Sequence, residues 1–145
     1  MANILTNKIF LAGIFAILVC QFLKLIIYSI KDRRFNLKHI YELSGMPSTH
    51  TSTAVALTAI VYYQEGISAL FVVWIFITIY VIDEVLWIDK TIGLHSQIFN
   101  KLSKTLQLQR LIPKTLRERW GHTYDEVIVG GVIGWLISWA VNNYL

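Results

Sequence analysis

An all-α membrane protein, a helical bundle of about four transmembrane helices plus an interfacial amphipathic helix, is the fold class this sequence predicts. Three observations carry that expectation. The 145 residues are 55% hydrophobic and only 15% charged, with a mean hydropathy of +0.55, too apolar for an ordinary soluble domain. Several apolar runs reach the length needed to cross a hydrocarbon core of ~30 Å. The basic residues collect between those runs instead of lining one solvated face, which points to a lipid bilayer and not to nucleic acid. At this length the chain reads as a single membrane-embedded domain, 1–145.

The first run, residues 9–30, is broken only by Gln21 and Lys24 and is long enough to span. A cleaved signal peptide is the competing reading. The run is longer than such a segment needs, and no small-x-small site precedes the basic Lys31-Asp32-Arg33-Arg34 cluster. A polar loop over 31–44 leads to Gly45-Met46-Pro47-Ser48-Thr49-His50, which has the residues of a helix start. Pro47 has no N–H to lose, Ser48 can cap, and Thr51, Ser52 and Thr53 keep the first turn polar. The helix it opens, about 47–63, is short for a span and stops at Gln64-Glu65-Gly66. The third run, 67–87, is rich in Val, Ile and Phe and carries Asp83 and Glu84 near its end.

In the polar connection 88–120, Ile98, Phe99, Leu102, Leu106 and Leu111 recur at helical spacing. That pattern predicts an amphipathic helix at the interface or over the mouth of the bundle. The last run, 124–145, carries Gly130 and Gly134, a small-xxx-small pair that lets a neighbouring helix come close. Cys20, the only cysteine, lies inside an apolar run and leaves the redox compartment unread.

Four spans place the N-terminus, the Gln64 turn and the C-terminus on one side and the two long loops on the other. Those loops hold eleven of the thirteen Lys and Arg residues, against Lys8 alone opposite. The positive-inside rule then puts the loops in the cytoplasm and both termini away from it. The same topology brings Lys24, Lys31, His50, Asp83 and His122 to one membrane face. Ionisable groups from four distant segments thus share a depth, which is the strongest internal argument for a site.

Two polar segments carry its chemistry. A helix N-terminus at Ser48 and Thr49 offers unpaired N–H groups and partial positive charge, which suit a phosphate-like anion. In Gly121-His122-Thr123-Tyr124-Asp125-Glu126, His122 and Glu126 are four apart and share a helix face. A carboxylate on one ring nitrogen fixes the tautomer and raises the basicity of the other, as a nucleophilic or general-base histidine requires. Each residue also has a plainer reading: Lys24 as a snorkelling interfacial lysine, His50 as a polar helix start, His122 and Glu126 as a hydrogen-bonded interfacial pair. Zinc or haem is a further alternative. A catalytic zinc wants three protein ligands, and no haem-attachment cysteine pattern exists, so no metal and no cofactor is expected.

Gly-Met-Pro-Ser-Thr-His resembles the proline-serine-x-histidine motif of the divergent branch of type-2 phosphatidic acid phosphatases, a group related to acid phosphatases and vanadium-dependent haloperoxidases. Gly121 to Val127 resembles that group's last motif, and Gln21-Phe22-Leu23-Lys24, followed by Arg33, its first. The resemblance implies a helical phosphatase with a phosphohistidine intermediate and no metal. Under it, His122 attacks phosphorus, Glu126 orients and polarises it, and His50 protonates the leaving oxygen. Lys24, with Arg33 or Lys31, and the Ser48-Thr49 helix start hold the phosphoryl oxygens. The chemistry agrees, since phosphoryl transfer needs positioned positive charge, N–H donors and an acid for the leaving group.

The sequence also departs from that pattern. The broad superfamily has Lys, six residues, Arg-Pro; here Lys31 stands seventh after Lys24, with no proline following. Where the divergent branch carries paired arginines after the aspartate matching Asp83, an alignment on Gly93 and Asn100 puts Asp89-Lys90, with one extra residue. Lys90 keeps a phosphate-binding charge without an arginine's bidentate fork, and Asp89 would repel phosphate. Arg117 or Arg119 is the alternative cation. The expected function is therefore an integral membrane phosphatase acting on a phospholipid, isoprenoid or other amphiphilic phosphate from the cytoplasmic leaflet. A catalytically inactive scaffold or lipid-headgroup binder of the same fold is the alternative, and vanadate-dependent halide oxidation a third. A homo-oligomer is compatible with all three.

Overall fold

The computed structural model describes residues 4–33, 45–107, 115–116, 118 and 121–145. A 3-10 turn, Ile4–Thr6, precedes α1, Lys8–Asp32. The helices that follow are α2, Thr49–Glu65, α3, Ala69–Asp83, α4, Asp89–Thr105, and α5, Tyr124–Tyr144. A five-residue π-helical turn, Glu84–Ile88, joins α3 to α4 without a break. Among the described residues there is no strand, so the all-helical expectation holds.

Each start is written in the sequence. Asn7 caps α1 by accepting from the N–H groups of Ile9 and Phe10, Ser48 caps α2 through Thr51, and Ser68 caps α3 through Phe71. Thr123 and Glu126 form a reciprocal capping box at the head of α5. Pro47 lies one residue outside the cap and is buried, so α2 begins two residues later than the sequence suggested.

Three helical stretches are long and apolar enough to cross a membrane: Lys8–Asp32, Ala69–Thr105 and Tyr124–Tyr144. The fourth member, α2, has 17 residues, the lower limit for a span. Its polarity follows from its place. It packs on α5, α1 and α3 together and buries Thr51, Ser52, Ala54, Ala56, Ile60 and Val61, so little of it need be lipid-compatible. By contrast, α3 buries no residue and presents Phe76 and Tyr80 outward. The chain is thus a multi-pass membrane protein organised around its least apolar helix.

Small residues hold the bundle together. In lipid there is no hydrophobic force between helices, so association depends on close backbone approach and hydrogen bonds. Ser48, Ser52 and Ala56 of α2 meet Gly130, Gly134 and Ser138 of α5 at four-residue intervals. A Cβ on Gly130 would stand 2.5 Å from the Ser48 carbonyl oxygen, one on Gly134 would overlap that of Ser52, and the Ser138 hydroxyl donates to Ala56 O. The small-xxx-small expectation is met and extended by a third step. On α1 the buried stripe is Ala12, Ala16, Cys20 and Lys24, again four apart. At the far end Lys8 Nζ donates to Asn142 O at 2.9 Å, tying the start of α1 to the end of α5.

The amphipathic helix exists with a different start. Expected around residues 98–111, it begins at Asp89 because the π turn carries α3 onward. At ~1.5 Å per residue the 37 residues of Ala69–Thr105 make about 55 Å of helix, more than a bilayer of ~40–45 Å with its headgroups. Helix α4 therefore belongs at or beyond the interface. Its buried positions, Gly93, Ser96, Asn100 and Ser103, are small or polar, while Ile98, Phe99 and Leu102 stay exposed. Asn100 is its anchor: Nδ2 donates to Leu116 O and Glu118 Oε1, both at 2.8 Å, and Oδ1 accepts from Leu116 N–H. Of the residues the sequence reading invoked, Arg34, Lys38, Arg110, Leu111, Lys114, Arg117 and Arg119 lie outside the described residues.

Candidate active site

The two histidines meet. The His50 and His122 rings lie 6.2 Å apart, centroid to centroid, at an interplanar angle of 85°. His122 is buried and His50 exposed, so the pair has an inner and an outer member. That separation and angle are those of an edge-to-face contact, so the two rings stand beside one another at a single site.

Backbone contacts from three elements position the pair. His122 N–H donates to Val85 O at 2.9 Å, and Ser48 N–H donates to Glu126 O at 3.0 Å. The first bond depends on the π turn. Asp89 N–H reaches back to Glu84 O and not to Val85 O, its partner in a regular α-helix, so the Val85 carbonyl can serve His122. Gly121 completes the approach. Its φ is +78°, and a Cβ there would stand 2.8 Å from Lys90 N, so only glycine lets the chain pass this close to the turn. The second bond locks the head of α5 to the cap of α2, two residues before His50.

Glu126 is buried at the first turn of α5, and its Oε2 accepts from Thr123 N–H at 3.2 Å. Ser48 is fully buried, with its hydroxyl 3.0 Å from that of Thr51. The Thr49 hydroxyl oxygen is enclosed and has no hydrogen-bond partner among the described residues. Such a group is costly unless a ligand or water satisfies it.

Lys24 is fully buried, which excludes the snorkelling reading. Cys20 lies beside Ser52, and Gly13 beside Leu57, so α1 and α2 run antiparallel. One turn further along α1 therefore corresponds to one turn earlier on α2, which sets Lys24 level with Ser48. Lys31 and Arg33 are exposed at the end of α1, where Arg33 forms the left-handed cap. Lys90 lines a cavity of about 260 Å³ together with Trp87, Gly121, His122, Thr123 and Glu126. His50, Ser48, His122, Glu126 and Lys90 thus converge, Lys24 lies at their level, and Lys31 and Arg33 stay at the surface.

Sequence reasoning missed three supporting parts. Val85 acts through its carbonyl, which no side-chain pattern reveals. The Tyr28 hydroxyl packs where a side chain on Gly45 would stand, one turn beyond Lys24. Thr123 was readable, since Thr-x-x-Glu before an apolar run is a capping-box signature.

Comparison with known proteins agrees with this architecture. The sequence profile described as the Divergent PAP2 family matches residues 5–137. An uncharacterised membrane protein of Bacillus subtilis (strain 168), YuiD, is 27% identical over 151 residues, covering 94% of each chain. No solved structure matches.

Proposed function

The chain belongs to the Divergent PAP2 family, and from that membership and the facing histidines we infer an integral membrane phosphatase for an amphiphilic phosphate ester. A ring nitrogen of His122 attacks phosphorus, forming an N–P bond as the ester P–O bond breaks. His50, the exposed partner, gives its proton to the leaving oxygen. Water then attacks the phosphohistidine, His50 takes the water proton, and phosphate leaves with His122 regenerated. Glu126 orients the His122 ring from one turn along α5. Lys24, Lys90 and the Ser48-Thr49 helix start stabilise the equatorial oxygens, where charge accumulates in the transition state. Lys31 and Arg33 serve the approach of the anion to the face that carries the site.

The observation that supports this most is the 6.2 Å approach of two imidazoles seventy-two residues apart, one buried and one open. The excess of basic residues in the loops beside the site supports access from the cytoplasmic leaflet. Purified protein should release phosphate from lipid phosphates in the presence of a chelator and be inhibited by vanadate. It should also trap acid-labile phosphate on His122. Turnover undiminished in His122→Ala would reject the mechanism.

One observation favours a second reading. Lys90 and its neighbour Asp89 occupy the place of an arginine pair, and a lysine grips phosphate as a point charge only. A headgroup binder without turnover would bind lipid phosphates and release nothing.

A further inference from the structure

Of the run Gln21-Phe22-Leu23-Lys24, the phosphoryl chemistry uses the lysine alone. Gln21 is an amide in an apolar membrane helix. Its side-chain oxygen, Oε1, is enclosed and has no hydrogen-bond partner among the described residues. Thr49 Oγ1 is in the same state. An acceptor left that way inside a bundle is costly unless something bound brings it a proton donor.

Helix register puts the two oxygens at one depth. Cys20 lies beside Ser52 and Gly13 beside Leu57 on antiparallel helices, so Gln21 is level with residues 49–51 of α2. Ile17, one turn before Gln21 on the same face of α1, lines a cavity of about 380 Å³ with Thr49, His50 and Thr53. Long side chains on a helix lean towards its N-terminus, which for Gln21 is towards Ile17 and that cavity. His50 lines this cavity and His122 does not. The cavity therefore lies on the far side of the outer histidine, where an oxygen entering in line with the His122–phosphorus bond must come from.

We propose that Gln21 is a positioning residue for the water that hydrolyses the phosphohistidine, with the Thr49 hydroxyl as its second support. The proposal rests on the phosphatase reading of the site. In this step the water oxygen forms the new bond to phosphorus, and the N–P bond breaks with its electron pair returning to His122. One water proton passes to His50. The other stays on the oxygen, as the new P–OH, and is the one that Gln21 Oε1 accepts. The same amide oxygen does nothing for the first step, because an ester oxygen carries no hydrogen to give it. Gln21 thus acts on the second half of the reaction alone, whereas the Thr49 hydroxyl donates to the oxygen in either half.

The test is how the phosphorylated intermediate of the full-length protein in detergent divides between water and added methanol, with p-nitrophenyl phosphate as the phosphoryl donor. Methanol has a single O–H, which goes to His50 and leaves none for Gln21. Gln21→Met, close in volume but without the acceptor, should therefore slow attack by water and spare attack by methanol. The ratio of methyl phosphate to inorganic phosphate should rise about tenfold, the factor that one hydrogen bond of ordinary net strength corresponds to. Both products come from one intermediate, so the ratio is blind to how much of the variant folds. The rate at which phosphohistidine forms should be unchanged. An unmoved ratio in Gln21→Met, or a slowed formation step, would overturn the proposal and leave the phosphatase reading standing. Wild-type protein that yields neither phosphohistidine nor methyl phosphate would remove that reading, and the proposal with it.

Discussion

Replacing Gly130 with alanine tests whether the α2–α5 contact sets the histidine geometry. The added Cβ would stand 2.5 Å from Ser48 O and 3.2 Å from Ser48 N, whereas ordinary contact begins at 3.4 Å. The helices must part by about 0.9 Å (3.4 − 2.5) at that point. Backbone on both sides means that no flexible side chain can yield instead. The strain falls one turn from Glu126, whose carbonyl accepts from Ser48 N–H, and two residues from His50 on the other helix. Overpacking of this kind costs ~1–3 kcal/mol in stability. A displacement of ~1 Å between reacting groups costs ~10²-fold in rate. Phosphate release by Gly130→Ala should therefore fall about a hundredfold in kcat/KM, with a lowered unfolding midpoint in detergent. Gly131→Ala is the matched control, since its Cβ would meet Val55 Cγ2 at a comfortable 3.8 Å. Wild-type activity in Gly130→Ala, or equal damage from Gly131→Ala, would refute the reasoning.

Three further outcomes follow from the site and its supports. His50→Ala should slow hydrolysis of an alkyl phosphate by ~10²–10⁴-fold but lose much less on p-nitrophenyl phosphate, whose leaving group needs no acid; comparing kcat for the two esters checks it. Thr123→Ala removes the capping box and should destabilise the protein by ~1 kcal/mol, read as a shift of the unfolding midpoint, with Thr123→Ser restoring most of it. Asn100→Ala breaks three hydrogen bonds to Leu116 and Glu118. Limited proteolysis between residues 107 and 121 should then run about tenfold faster or more, with the transmembrane bundle intact.

Much of this was legible because lipid imposes simple rules. Long apolar runs gave the spans, and alternating topology alone brought His50 and His122 to one face. The Ser48 cap and the Gly130-Gly134 step could be read from residue type and spacing. What could not be read depends on tertiary placement. Hydropathy undervalues α2 because a helix enclosed by three others can be polar. For Lys24 the sequence left a snorkelling lysine open beside the phosphate-binding one, because burial against α2 is not a property of α1's own sequence. The start of α4 was missed because no Pro or Gly separates Asp83 from Ile92, and the π turn that joins the two helices has no residue signature of its own. Glu126 was read only as a partner for His122, although the same spacing from Thr123 announced a cap.

The π turn offers a place for the one surplus residue that the family resemblance implies near Asp89. A residue added to a regular α-helix would swing everything beyond it by ~100°. Taken up as a local widening, the insertion leaves the downstream face where it was and puts Lys90 against the cavity of His122. Deleting any one residue from 84–88 would then tighten the coil and withdraw the acceptor for the His122 amide. Length, more than identity, is what selection should guard in those five positions.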